Sequence, residues 1–213
     1  MGLIETIKSA IRNSLLFEQY LAPVRAEAAI RGWQRQGKPH PAPHIVKQRH
    51  IHALTSLFAL KVMVETGTNT GATVKALERH FDEIYSIEIF PPLAAQAKKR
   101  FAKNPAIHII EGDSAKELPG ILQKTAQPIL FWLDGHYSGE GTGRSDVDTP
   151  VLAELGHILA FRPRGKDVIL IDDARCFTGA NGYPRLEDFL VTVEHQFGVR
   201  PRVADDIIFI LPA

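Results

Sequence analysis

Val62-Met-Val-Glu-Thr-Gly-Thr-Asn-Thr-Gly71 decides the fold, because an apolar, strand-like run passes directly into a turn bearing two glycines. Ala72 to Phe81 follows, with Val74, Leu77 and Phe81 on one helical face. Strand, glycine turn and helix form the nucleotide-binding end of a doubly wound α/β domain, with the ligand across the carboxyl ends of the strands. A dinucleotide fingerprint requires Gly-x-Gly-x-x-Gly/Ala, and its middle glycine lets the backbone approach a pyrophosphate. Here that middle position is Asn69, between Gly67 and Gly71. Glu65, two residues before Gly67, repels phosphate but suits a sulfonium and an amino group. The loop therefore favours S-adenosylmethionine over NAD.

Outward from this loop the chain alternates regularly. Strands are expected at 61–65, 84–88, 107–111, 129–134 and 168–172, with helices at 72–81, 92–103, 115–124 and 150–160. Pro92 suits a helical first turn. Repeated strand–helix units imply a parallel sheet covered on both faces. Leu186, Phe189, Leu190, Val193 and Phe197 mark a later helix, and strands near 199–204 and 206–211 follow it. Their connection is too short for a parallel crossover, so they are antiparallel. The fold class is α/β: a Rossmann-like, doubly wound sheet of seven strands, mostly parallel with the last antiparallel. Residues 1–60 read as an N-terminal helical extension with a proline-rich linker at 37–43 and a further helix at 45–59, and 61–213 as the ligand-binding domain. Leu3, Ile4, Ile7, Ile11 and Leu15 recur at helical spacing, and Pro23 is placed to start a second helix.

Each parallel strand ends in a carboxylate: Glu65, Glu88, Asp113 after Gly112, Asp134, and Asp172 with Asp173. Glu88 lies 21 residues after Gly67, the usual offset for an acid that takes ribose hydroxyls. Asp113-Ser114 either reaches an adenine amino group or caps the helix behind it. With these residues, the chain resembles the class I S-adenosylmethionine-dependent methyltransferases over residues 60–212. The form Glu65-Thr66-Gly67-Thr68-Asn69-Thr-Gly71 is similar to that of small-molecule and sugar O-methyltransferases related to macrocin O-methyltransferase. The resemblance implies that this loop, Glu88, Asp113, Ser114 and Asp134 hold the cofactor.

Phe131-Trp-Leu-Asp-Gly-His-Tyr137 and Ile169-Leu-Ile-Asp-Asp-Ala-Arg175 end neighbouring strands, which brings Asp134 beside Asp172 and Asp173. Three carboxylates do not remain ionised together at an apolar strand end without a cation or protons. Hard divalent ions such as Mg²⁺ prefer such oxygens and keep water positions open for substrate. The triad is similar to the metal site of Mg²⁺-dependent O-methyltransferases; the competing readings have Asp173 cap the following segment or pair one acid with Arg175 or Arg144. Asp134 and His136 are the expected catalytic residues, with His136 either a general base for an acceptor hydroxyl or a solvent-facing histidine. Residues 138–149 are polar and glycine-bearing, reading as a lid or an ordinary surface loop, with Thr149 as an N-cap before Pro150.

Composition sets the remaining bounds. The apolar stretches are strand-length, no secretory pattern opens the chain, and Cys176 is the single cysteine. The expectation is a cytoplasmic protein without a membrane span. Residues 1–60 carry a balance of +5 and the remainder −4, so the basic arm is either a solvated helix face or a meeting place for anions. No Gly-x-x-x-x-Gly-Lys-Ser/Thr loop exists, which argues against nucleotide hydrolysis. The partner expected is a small-molecule or sugar acceptor, not nucleic acid, with the N-terminal helices as a possible homo-oligomer contact. The alternatives are an NAD-dependent oxidoreductase and a non-catalytic binding protein on a methyltransferase-like fold.

Overall fold

Burial on both faces is what makes the central strands of this chain nearly continuous apolar runs. The computed structural model describes residues 15–135, 149–162 and 166–212, with side chains from residue 23 onward. Strands β1 (Val62–Thr66), β2 (Glu83–Glu88), β3 (Ile107–Glu111), β4 (Ile129–Leu133) and β5 (Val168–Ile171) run parallel. Strands β6 (Arg202–Ala204) and β7 (Ile207–Ile210) form an antiparallel hairpin, and β7 also pairs antiparallel with β5. The sheet order is β3-β2-β1-β4-β5-β7-β6. The order reverses where β1 meets β4, and such a switch point opens a crevice above the strand ends.

Side chains alternate across the sheet with the period of two that a strand imposes. On one face Val62, Val64, Phe131, Leu133, Ile169 and Ile171 join Leu118, Ile121, Leu155, Ile158, Phe189 and Val193. These last six come from α5 (Ser114–Leu122), α6 (Val151–Phe161) and α7 (Leu186–Phe197). On the other face Met63, Leu130, Trp132 and Leu170 pack with Ile51, Val74, Leu77, Ala97 and Phe101. Those partners belong to α2 (His44–Leu57), α3 (Ala72–Leu77) and α4 (Pro91–Phe101). Each large aliphatic side chain so buried contributes about 1.5–3 kcal/mol. The central strands are therefore the rigid floor on which their carboxyl-end acids stand.

The described residues divide into two compact units, one ending at Lys47 and the other beginning at Gln48. Within the first, Ile30, Trp33, Ala42 and Val46 form a small apolar cluster, and the Trp33 indole N–H donates to the Pro39 carbonyl at 2.8 Å. Helix α1 (Leu15–Arg35) is unbroken through Pro23, where a second helix was expected to begin. Proline's fixed φ is already helical, so the local cost is a lost backbone hydrogen bond and ring crowding, not a new N-terminus. The residues before 15 lie outside the described part. In the second unit Ile51 and Leu60 pack in the sheet's core, although both precede the residue where the sheet domain was expected to start.

The late strands are shorter than expected, 202–204 and 207–210, and Asp205 and Asp206 adopt positive φ (51° and 68°) in the turn between them. Helix α3 likewise stops at Leu77, short of the expected 81. Among the described residues no helix is long and apolar enough to cross a membrane.

Candidate functional site

The turn after β1 owes its shape to two glycines and an asparagine. Gly67 has φ +83°, and a Cβ there would lie 2.5 Å from the Asp134 carbonyl oxygen, so β4 leaves room only for glycine. Gly71 has φ +71°, with Phe101 where its Cβ would stand. Asn69 also takes the left-handed region, at φ 49°. Asparagine is among the few side chains that tolerate it, which explains how the loop closes without a middle glycine. The Asn69 amide donates to Glu88 Oε2 at 2.7 Å, and the Phe90 amide donates to Glu88 Oε1 at 2.9 Å. One carboxylate thus fixes the β1 loop and the β2 end together, through two charge-assisted bonds.

Glu65 sits beneath this loop. It is 1% exposed, and the Ser86 hydroxyl donates to its Oε2 while Thr68 Oγ1 bonds Ser86 Oγ at 2.6 Å. Burial pushes the Glu65 carboxyl up to about 8 against the hydrogen bonds of Ser86 and Thr73, and the charges of Asp134 and Glu88 act with burial. Its work in this conformation is to tie β1 to β2 as a largely neutral acid. An aqueous carboxyl would release its proton near 4.5. Between those values the native state holds a proton that the unfolded chain has lost, so stability falls as pH rises through the window and the loss is complete above it. Glu65→Gln keeps an acceptor for Ser86 and carries no titrating proton. Its melting temperature is expected to exceed that of the native protein at about pH 8.5, by the equivalent of about 3–5 kcal/mol, with the gap closing near pH 4.5. Thermal melts of both proteins across that range check it; parallel curves would refute it.

Asp113 caps α5, its Oδ1 accepting the Ala115 amide at 3.0 Å, with Lys116 Nζ 3.6 Å from Oδ2. Of the two sequence readings, the cap is therefore present. The Ser114 hydroxyl donates to Glu154 Oε1 at 2.6 Å. Thr66 binds the next strand: the Asp134 amide donates to its carbonyl at 3.1 Å and to its Oγ1 at 3.2 Å.

The register Leu133↔Ile171 puts Asp134 beside Asp172. Asp134, Asp172 and Asp173 each offer an oxygen within 4.8 Å of the others. Asp172 and Asp173 are buried, and Asp173 stands at φ 58°, ψ 48°. The cation and arginine readings of the triad each leave a trace, while Asp173 stands at the N-cap of the turn 174–176 without a side-chain cap bond. The cluster is compact, and Arg175 Nη1 donates to Asp173 Oδ1 at 2.6 Å and also pairs with Asp206. Asp206 Oδ1 further accepts the Arg175 amide at 2.9 Å, so the β6–β7 turn latches the acid-bearing turn. All three donors are hard carboxylate oxygens, the type that Mg²⁺ or Mn²⁺ takes, with Asp173 partly neutralised by its arginine. Among the described residues, Asp134, Gly135, Thr149, Glu154, Asp172 and Tyr183 line a small polar recess beside the cluster. Thr149 Oγ1 accepts the Val151 amide at 3.4 Å, but Pro150 and not the expected Thr149 stands at the N-cap of α6, without a side-chain cap bond. His136, Tyr137, Arg144 and the rest of residues 138–148 of the proposed lid lie outside the described residues.

Sequence reasoning passed over Glu154, which is 1% exposed. The signal was present: Val151, Glu154, Leu155 and Ile158 share the i, i+3, i+4, i+7 spacing of a buried helical face. Burial raises its carboxyl to about 7 against hydrogen bonds from Ser114 and Thr66, with the charges of Asp113 and Asp134 adding to the rise.

No family model and no curated protein matches the chain. Solved structures do. The S-adenosylhomocysteine-bound methyltransferase PaMTH1 of Podospora anserina aligns with a TM-score of 0.60 at 17% identity, over 87% of this chain and 88% of that one. The O-methyltransferase TomG of Streptomyces achromogenes, in complex with S-adenosylmethionine, gives 0.57 at 15% identity, over 88% and 89%. An O-methyltransferase of Bacillus cereus, in complex with S-adenosylhomocysteine, gives 0.57 at 15% identity, over 92% and 97%. The chain shares the fold of these methyltransferase structures, its own sheet being mostly parallel with antiparallel closing strands.

Proposed function

We propose that this protein is an S-adenosylmethionine-dependent O-methyltransferase acting on a hydroxyl of a small molecule or sugar, assisted by a divalent cation at Asp134, Asp172 and Asp173. The observation that carries the reading is the Glu88 carboxylate. It holds the amides of Asn69 and Phe90 at the β1–β2 strand ends, within a Rossmann-like sheet whose neighbours in structure bind that cofactor. Each oxygen of an ionised carboxylate has lone pairs beyond the one used here, so ribose hydroxyls can be met without breaking the loop.

When bound, S-adenosylmethionine supplies an electrophilic methyl carbon. The residues of the chain would do the rest. The turn from Gly67 to Gly71 would cradle the amino acid end, Glu88 the ribose, and the segment at Asp113 and Ser114 the adenine. Asp134, Asp172 and Asp173 fit a hard cation, whose chemistry would be to lower the pKa of an acceptor hydroxyl. His136, two residues past Asp134, would accept the hydroxyl proton. Transfer needs acceptor oxygen, methyl carbon and sulfur in line, so positioning on rigid strand ends supplies much of the rate.

Titration calorimetry tests the reading directly. The native protein is expected to bind S-adenosylhomocysteine at a micromolar Kd, about −8 kcal/mol, and to give no heat with NAD. Binding of NAD with silence toward S-adenosylhomocysteine would reverse it in favour of redox chemistry.

A further inference from the structure

Glu154 is a carboxyl buried in a helix, yet its side chain reaches the start of α5 and the turn after β4. Ser114 Oγ donates to its Oε1 at 2.6 Å from the residue that follows Asp113. Thr66, at the end of β1, favours the charged form of the same carboxyl, and its Oγ1 accepts the Asp134 amide at 3.2 Å. Gly135 lies against both: a Cβ there would be 3.2 Å from Thr66 Oγ1 and 3.5 Å from Glu154 Oε1. One side chain thereby touches the adenine-side turn, the loop-bearing strand and the turn of the candidate acceptor site.

We propose that Glu154 is a positioning residue for the methyl-transfer site, its buried carboxyl clamping Ser114, Thr66 and the Asp134–Gly135 turn into one register. A merely space-filling role would not need a carboxyl that takes the Ser114 hydroxyl beside Thr66, because a leucine fills such a site without desolvating a carboxyl. The role rests on the methyltransferase reading above, but the clamp itself is a property of the ligand-free protein. The side chain touches no reacting atom. It acts through Thr66 on the Asp134 backbone and through Ser114 on the start of α5.

The test compares Glu154→Gln, Glu154→Ala and Ser114→Ala by amide hydrogen exchange and by calorimetry with S-adenosylhomocysteine. Glutamine retains an acceptor for Ser114 and adds an N–H for Thr66, so it should rescue: affinity within threefold of native and native exchange. Alanine should weaken affinity by tenfold or more and speed exchange by tenfold or more at the amides of Asp134 and Ala115 together. Ser114→Ala should speed exchange at Ala115 and weaken affinity by a smaller factor. Should Glu154→Ala prove unable to fold, the glutamine and Ser114→Ala results decide alone. Faster exchange confined to α6, or a glutamine variant no better than alanine, would overturn the proposal. Native protein that fails to bind S-adenosylhomocysteine would sink the cofactor reading instead, and the exchange data would still judge the clamp.

Discussion

Glu88→Ala is expected to weaken S-adenosylhomocysteine binding by about a hundredfold or more, close to 3 kcal/mol. Two losses combine. The amides of Asn69 and Phe90 each lose an ionised acceptor, at 2.7 and 2.9 Å in the native protein, and the loop they fix is released from β2. The proposed ribose contact disappears as well. Glu88→Gln should fall between alanine and native, because an amide oxygen replaces one of the two acceptors and its NH₂ faces a donor. Calorimetry on folded protein is the measurement. If affinity in both variants stays within threefold of native while the unfolding midpoint drops, Glu88 is only a staple for the loop and the ribose role fails.

Gly67→Ala should cost about 3–5 kcal/mol of stability, among the largest effects of any single methyl group in this chain. The residue holds φ +83°, and its new Cβ would be 2.5 Å from the Asp134 carbonyl oxygen and 2.9 Å from the carbonyl carbon. Both obstacles are backbone at the end of a fully buried strand, so neither rotates away. Relief requires moving the β1 loop or the β4 end, and either shift disturbs the Asp134 amide bonded to Thr66. Gly156→Ala is the matched control: it lies within α6 with nothing within 4 Å of its Cβ position. That variant should be neutral or gain up to about 1 kcal/mol from helix propensity. Urea unfolding of the two variants beside native protein gives the comparison, and equal midpoints would show that the turn yields more readily than its geometry indicates.

Much of the sheet could be read from local pattern, since strands buried on both faces are unbroken apolar runs such as Ile129 to Leu133. The acids at strand ends were legible for the same reason: Asp134 and Asp172 follow directly on such runs. What local pattern does not carry is where a side chain points when its partner is far along the chain. Glu65 looked like a lining residue from its place before Gly67, but Ser86 lies 21 residues away and draws the carboxyl under the loop. Arg175 and Asp206 meet across 31 residues because β7 pairs with β5, a pairing that no short window contains. Glu154 was the nearest miss, as its spacing with Leu155 and Ile158 already put a carboxyl on an apolar face. Its partners, Ser114 and Thr66, are set by topology alone.

The two tryptophans of this chain are divided between its compact units: Trp33 in the small cluster with Ile30 and Val46, Trp132 at the centre of the sheet. Their indoles also differ in polarity, since Trp33 donates to a carbonyl and Trp132 has a fully buried N–H with no protein acceptor among the described residues. Each unit therefore carries a native fluorophore with its own surroundings. Emission from single-tryptophan variants can follow melting of either unit by itself, without any attached dye.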